Sequence, residues 1–252
     1  MCGIIGCVGR DDTLDTLIHG LSKLEYRGYD SAGIALAGNG ALHIRKRAGE
    51  LDRLRESIDG EDGLSGTIGI GHTRWSTHGP PTDHNAHPHA DCTGTVAVVH
   101  NGIIENYQAL KDELEAAGHT FESDTDTEVV PHLVEAELAA GAAPGEAFRA
   151  AIDRLDGSFA ISCVLDDSDS VFVARNDSPL VLGLGDDETY LASDVPAFRA
   201  FTDQVVYLAD GEFAELRSDG WRVTDASGEP IEKSVETIQW DAEDTGKSGY
   251  DH

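Results

Sequence analysis

Residue 2 of this chain is a cysteine, set directly behind Met1 and in front of the apolar run GIIGCVG. Chain starts are usually frayed, so a thiol there has two readings. It is an accident, or it is the one position where a side-chain nucleophile and a free α-amine share a residue. Further polar residues gather at the ends of apolar runs. GHTRWSTHG (71–79) carries His72, Arg74 and His78; NAHPH (85–89) carries His87 and His89; HNG (100–102) closes an apolar run; SDTDTE (123–128) carries Asp124 and Asp126. Each has a plain counterpart. His72 reads first as a satisfied structural histidine. His78, His84, His87 and His89 lack a helical His-x3-His frame or a nearby cysteine pair, so no metal is expected there. Asn-Gly is a favoured turn dipeptide, and SDTDTE resembles a capping box.

The elements around these residues follow from periodicity. CGIIGCVG reads as a buried strand. Leu14, Leu17, Ile18, Leu21 and Leu24 recur at helical spacing, with Asp11 or Asp12 as the cap. SAGIALAG and GALHIRKR form a hairpin around Gly38-Asn39-Gly40, and LDRLRESI is a short helix. GTIGIGHTRW is a strand that runs into STHGPPTDHNAHPHADCTG, an aperiodic loop rich in Gly, Pro and His. TGTVAVVHNG is a strand ending at Asn101-Gly102. Helices cover roughly 105–117, 127–140 and 145–155, with Pro131 in a first turn, where it is tolerated. Strands follow in SFAISCVLDD, SVFVARND, PLVLGLG, ETYLASD, VVYLADG and EFAELRS. Strands, a block of helices, then strands describe a layered α+β domain rather than a doubly wound sheet.

Composition narrows the class. The chain has 252 residues, 40% of them hydrophobic, enough for a sizeable core. No run of about 18 apolar residues is present, and no secretory pattern precedes Cys2. The formal charge is −29, from 18 basic and 47 acidic residues, a field that repels nucleic acid and anionic membranes. The acids are dispersed and lysines are few, the pattern of a protein adapted to high salt. Cys7 and Cys163 lie in apolar runs and Cys92 in a loop. Four scattered cysteines make neither a disulfide scaffold nor a zinc motif, and a reducing cytoplasm fits them.

Six motifs in order carry a resemblance: CGIIG, YRGYDSAG (26–33), GHTRWSTHG, NAHPH, VHNGIIENY (99–107) and SDTDTE. Together they resemble the class II glutamine amidotransferases of the N-terminal-nucleophile hydrolase superfamily. Within these, the likeness is to the glutaminase domain of glutamine–fructose-6-phosphate aminotransferases, which PLVLGLG and the ASD at 192–194 also resemble. The resemblance spans essentially the whole chain.

The resemblance implies a mechanism. Met1 is removed, and the α-amine of Cys2, with a pKa of about 7.7–8.0, takes the thiol proton directly or through water. The thiolate attacks the glutamine side-chain amide and releases ammonia, and water hydrolyses the γ-glutamyl thioester. Asn101 and the Gly102 N–H are implied as oxyanion donors. Arg74 is implied to bind the α-carboxylate and Asp126 the α-ammonium. Trp75, Thr77 and His78 are implied to lie on a loop that closes over glutamine. Arg27 is implied to brace the nucleophile end, and His87 to sit at an interface between domains.

The implied fold is a four-layer α/β/β/α sandwich with two mostly antiparallel sheets. Residues 1–240 are the expected glutaminase domain, and 241–252 a linker toward sugar-isomerase domains absent from this chain. Ammonia release would serve conversion of fructose 6-phosphate to glucosamine 6-phosphate in a longer, homo-oligomeric enzyme. No metal or organic cofactor is implied. Two alternatives stand beside this reading: a glutaminase subunit serving another acceptor, and a catalytically silent glutamine-binding regulatory domain.

Overall fold

The structure is a computed structural model and describes residues 2–61, 63–75 and 79–239. The apolar run behind Cys2 forms strand β1 (Gly3–Val8), buried at every position. Ile4 and Val8 enter one core while Ile5 and Cys7 enter another. A strand covered on both faces carries no polar alternation, which is why this one reads as a continuous apolar run. Helix α1 (Thr13–Leu24) lays Leu17, Leu21 and Leu24 on the Ile5 side. Asp12 occupies its N-cap position, but the expected side-chain cap is not made. Arg10 takes the carboxylate instead, with contacts of 2.6 and 2.7 Å, because a bidentate charged pair outcompetes a single bond to a backbone N–H.

Strands β2 (Ser31–Gly38) and β3 (Ala41–Ala48) form the expected hairpin. Asn39 and Gly40 turn it with φ of 55° and 70°, as a tight two-residue turn requires. Helix α2 (Leu51–Ile58) and strands β4 (Ile68–Arg74), β5 (His89–Ala90) and β6 (Val96–Ile104) follow. Then come helices α3 (Tyr107–Ala116), α4 (Val129–Ala139) and α5 (Pro144–Ile152), with Pro131 in the first turn of α4. The remaining strands are β7 (Gly157–Leu165), β8 (Val171–Asn176), β9 (Val181–Leu184), β10 (Thr189–Ala192), β11 (Gln204–Tyr207), β12 (Glu212–Arg217), β13 (Gly220–Thr224) and β14 (Glu236–Thr237).

The strands build two antiparallel sheets, in the orders β14-β11-β9-β10-β1-β4-β2-β3 and β13-β12-β8-β7-β6-β5. Their facing surfaces carry small and branched side chains. Ile4, Ala35 and Ile70 come from the first sheet, and Ala97, Val99, Ala160 and Val173 from the second. Helices α1 and α2 cover the outer face of the first sheet through Leu17, Leu21 and Leu54. Helices α3, α4 and α5 cover the second, where Leu133 and Phe148 meet Val98 and Ile161. This is the α/β/β/α sandwich the resemblance implied. The start of the chain is pinned within it. Ile4 N–H donates to Ser193 Oγ and Ser193 N–H to the Ile4 carbonyl, each at 3.0 Å.

Four segments depart from the sequence reading. Residues 85–88 belong to the polar loop but are buried, and His89 already opens β5. Lys46 Nζ donates to the carbonyls of His84 (3.2 Å) and Pro88 (3.1 Å), and β5 pairs with β6. Strand β6 does not stop at Asn101-Gly102, since its ladder with β7 continues to Ile104 opposite Gly157. The tertiary ladder there overrides the turn preference of the dipeptide. The segments at 220–224 and 236–237 are strands that went unread. No helix among the described residues is long and apolar enough to cross a membrane. Trp240 and the expected linker lie outside the described residues.

Candidate active site

Antiparallel pairing sets Gly3 of β1 opposite Thr73 of β4, and Ile4 opposite His72. That register carries Cys2 to the end of β4. There the Trp75 N–H donates to Cys2 Sγ at 3.2 Å, and Sγ lies 3.5 Å from the Trp75 carbonyl. Cys2 is half-buried. Burial pushes its thiol above the ordinary value, while the Trp75 N–H and the Arg74 charge pull it down. Such a thiol needs a base to become a thiolate. Gly28 lets the YRG turn press against the same strand end. A Cβ there would lie 2.6 Å from the Arg74 carbonyl carbon and 2.7 Å from Trp75 N. Tyr29 then meets the Trp75 ring edge to face at 5.5 Å.

The second sheet brings Asn101 to this point. Its Nδ2 donates to the Cys2 carbonyl at 3.0 Å. Its Oδ1 lies 2.9 Å from His72 Nε2, and the same Nε2 is 3.1 Å from the His100 carbonyl. A carbonyl only accepts, so Nε2 carries the proton, and Asn101 must show its oxygen to His72 and its amino group to Cys2. Burial drives His72 down to about 3, so the ring is a neutral donor. His87 stacks on it with centroids 4.3 Å apart, and His87 Nδ1 accepts from the His100 N–H at 3.3 Å. Burial, then the neighbouring His72, holds His87 well below the usual imidazole range. Gly102 follows at φ 137°, a conformation that L side chains avoid, and a Cβ there would run into the Ser158 carbonyl.

Arg74 and Asp126 are both buried, at 4% and 6% exposure. Burial lowers the Arg74 pKa, and Cys2, Asp126 and Asp30 oppose that by favouring its charged form. Asp126 is not a helix cap. Its Oδ2 accepts from Ile104 N–H at 2.8 Å, which fixes the 122–128 segment to β6 just beyond Gly102. Glu128, at the head of α4, folds back to accept from the N–H groups of Glu122 and Ser123, each at 2.7 Å. Those bonds and His132 hold its carboxyl down at about 2 against the opposing cost of burial. A thiol, amide donors, one buried cation and one buried anion therefore share a site. That set complements an amino acid with a side-chain carbonyl: charges for its two α-groups, donors and a nucleophile for its amide.

The other expected residues are placed as follows. Trp75 is 46% exposed at the rim. Arg27 Nη2 pairs with Asp194 at 2.9 Å, beside Ser193, and so reaches β1 only through that neighbour. His87 is buried among His72, His89 and His100. Thr77 and His78 lie outside the described residues. Sequence reading missed the interlayer bond from His72 to Asn101. It also missed His100, whose Nδ1 lies 2.8 Å from Thr127 Oγ1 beside Asp126. The HNG motif was the available signal for His100; nothing in spacing linked His72 to Asn101, 29 positions away.

Comparison with known proteins shows the family of the chain. The chain is 54% identical over 252 residues to a glutamine–fructose-6-phosphate aminotransferase [isomerizing] of Halobacterium salinarum, spanning all of this chain and 41% of that protein. It is 50% identical over 254 residues to the like-named protein of Thermococcus kodakarensis, spanning all of this chain and 42% of that one. The chain thus spans about two fifths of these relatives. Among solved structures, the glutamine phosphoribosylpyrophosphate amidotransferase of B. subtilis superposes with a TM-score of 0.77 at 25% identity, over 89% of this chain and 49% of that one. Residues 72–200, which run from the His72 clamp through Asn101 and Asp126 to the Ser193 anchor, match the glutamine amidotransferase domain family, and the chain belongs to that family.

Proposed function

We propose that this chain hydrolyses L-glutamine to glutamate and ammonia with Cys2 as nucleophile, as the glutaminase part of a glutamine–fructose-6-phosphate aminotransferase. One observation carries the reading. Cys2 Sγ sits at the Trp75 N–H while the Asn101 amino group, from the other sheet, reaches the Cys2 carbonyl. With Met1 excised, the Cys2 α-amine takes the thiol proton. The thiolate adds to the glutamine Cδ, and the carbonyl oxygen becomes an oxyanion facing Asn101 Nδ2 and the Gly102 N–H. Collapse breaks the C–N bond, the departing nitrogen takes back the proton held by the Cys2 α-amine and leaves as ammonia, and a γ-glutamyl thioester remains. Water, activated by the amine, then hydrolyses the thioester to glutamate. Arg74 holds the α-carboxylate and Asp126 the α-ammonium. Trp75, Thr77 and His78 cover the substrate. Arg27 braces the β1 end through Asp194, and His87 packs the floor beneath Asn101.

The acceptor, fructose 6-phosphate, follows from the names of the relatives and would act on a longer, homo-oligomeric protein. The cytoplasm is the compartment proposed for it. Glutamate release by this chain, with the mature terminus read by mass spectrometry, tests the core of the reading. Cys2→Ser should lower hydrolysis by roughly 10⁴-fold or more, and a retained Met1 should silence the site. Near wild-type hydrolysis by Cys2→Ser would sink the mechanism. Amino-sugar synthesis should need the longer protein, and glucosamine 6-phosphate made by this chain alone would overturn that assignment.

A further inference from the structure

Away from Cys2, four side chains of metal-ligating type converge. Cys92 follows β5, His119 follows α3, and His132 and Glu135 lie one turn apart on α4. Their nearest ligand atoms all fall within 4.8 Å of one another. Cys92 Sγ is 3.5 Å from His132 Nδ1 and 3.7 Å from His119 Nδ1. Glu135 Oε2 is 2.9 Å from His119 Nδ1 and 3.3 Å from His132 Nδ1. A tetrahedral zinc ion with bonds of about 2.0–2.3 Å separates its ligand atoms by roughly 3.3–3.7 Å. The cluster is already close to that size, with one thiol sulfur, two imidazole nitrogens and one carboxylate oxygen aimed inward; burial and the Glu135 carboxylate hold the sulfur protonated until a cation displaces its proton.

Hydrogen bonding within the cluster explains it less well. His132 is 1% exposed, and its Nε2 has no partner at hydrogen-bond distance; it faces Glu128 Oε1 at 3.8 Å. A neutral ring has one proton for two edges. Placed on Nδ1, it leaves the Nε2 lone pair against the Glu128 carboxylate. Placed on Nε2, it leaves the Nδ1 lone pair 3.3 Å from a Glu135 oxygen, with the Cys92 S–H the donor that can reach it. A cation among the four atoms removes the conflict, with Nε2–H turned to Glu128 in the carboxylate–histidine–metal arrangement that orients ligating histidines. The Thr120 N–H points at Cys92 Sγ at 3.4 Å, a donor suited to a bound thiolate.

We propose that Cys92, His119, His132 and Glu135 form a tetrahedral divalent transition-metal site, zinc by its donor set, that ties together the two ends of the segment carrying Asp126. His119 and His132 bracket residues 122–128, and Glu128 bonds both to that segment and toward His132. The ion would fasten this stretch to α4 and to the end of β5, holding Asp126 against β6. Cys92 is exposed, so an ion has a route in from solvent. The proposal departs from the sequence expectation, which found no metal motif either among His78, His84, His87 and His89 or among the four cysteines.

Metal analysis of the chain, purified without chelator, should give about one zinc per chain. After chelation, added zinc should raise the melting temperature of the wild type and not that of Cys92→Ser. Cobalt(II) should give a thiolate-to-metal charge-transfer band that Cys92→Ser lacks. Glu128→Gln, which touches no ion, should weaken zinc by roughly 10–100-fold in a chelator competition. Far-UV circular dichroism keeps the variants interpretable. Wild type that binds zinc no more tightly than Cys92→Ser, with no cobalt charge-transfer band, would reduce the cluster to a hydrogen-bond network. The readouts are metal content, metal affinity, spectra and melting temperature, none of them glutamine hydrolysis, so failure here leaves the Cys2 chemistry untouched.

Discussion

The Nε2–H of His72 crosses from one sheet to the other and ends 2.9 Å from Asn101 Oδ1. Because the His100 carbonyl shares that proton, the orientation of the Asn101 amide is dictated from beneath, and its amino group has only the Cys2 side to face. His72 is thus a positioning residue. His72→Leu should lower kcat for glutamine by about 10–100-fold with little change in KM, because a donor out of line is lost chiefly in the transition state. Asn101→Ala should cost on the order of 10²–10³. His72→Gln, which keeps an N–H, should recover part of the loss. Equal effects of Leu and Gln would point to a packing role alone.

Asp126 should act on binding more than on chemistry. Asp126→Asn keeps an oxygen for the Ile104 N–H but removes the charge. Losing one buried charge contact costs about 2–5 kcal/mol, so KM should rise by more than tenfold while the melting temperature stays near wild type. The sharper readout is selectivity. Wild type should strongly prefer glutamine to glutaramate, which lacks the α-amine, and Asp126→Asn should narrow that preference. Unchanged selectivity would remove Asp126 from the ammonium site.

Particular residues show what was readable in advance. Leu17, Leu21 and Leu24 announced α1 because a surface helix needs one apolar stripe. Asn39-Gly40 announced a hairpin because positive φ at both positions is costly for most other residues. The core at residues 85–89 was hidden because burial there rests on stacked neutral histidines and on Lys46, which hydropathy scores as surface. Asn101-Gly102 signalled a turn, and only the β7 ladder turned it into strand. The fold was legible through ordered motifs, and the same motifs singled out Cys2, Arg74, Asn101 and Asp126 as the candidate set. The His72 clamp and the Cys92 cluster were not legible, because each joins residues that only the packed layers bring together.

Gly102 offers a backbone test. Its φ of 137° and the Ser158 carbonyl beside it exclude a side chain. Gly102→Ala should destabilise the chain by about 1–3 kcal/mol and should depress kcat as well, since relief of the clash moves the N–H beside Asn101. Urea unfolding and steady-state kinetics on the same sample check both. Activity retained at full stability would mean the strand accommodates the methyl group.

Stability should fall as pH drops from about 7.5 to 5.5. His72, His87, His89 and His100 are buried with pKa values below the ordinary imidazole range, His72 at about 3, each mainly through burial. The unfolded chain takes up protons near pH 6.5, where the native state does not, so acid favours unfolding. Their contribution is complete above the unfolded value and is lost as pH falls toward the folded ones. Each histidine held neutral adds to the slope as pH nears 6.5, reaching about 1.4 kcal/mol per pH unit once the unfolded imidazole is fully protonated. Unfolding free energies from denaturant titrations at fixed salt, flat between those pH values, would contradict neutral histidines between the sheets.

Salt should move stability in the opposite sense to its effect on most ion pairs. A formal charge of −29 on 252 residues makes self-repulsion a long-range cost of compactness, whereas pairs such as Arg10 with Glu188 act over 2.7 Å. Screening reaches the first before the second. The Debye length shrinks from about 10 Å at 0.1 M to about 3 Å at 1 M. The melting temperature in potassium chloride should therefore rise, most steeply below about 1 M, where repulsion between dispersed carboxylates is being screened. A rise that begins only at molar salt and continues linearly would instead mark salting-out of apolar surface. A melting temperature that falls as salt is added would mean that local pairs outweigh net charge, and the reading of this composition as an adaptation to high salt would fail.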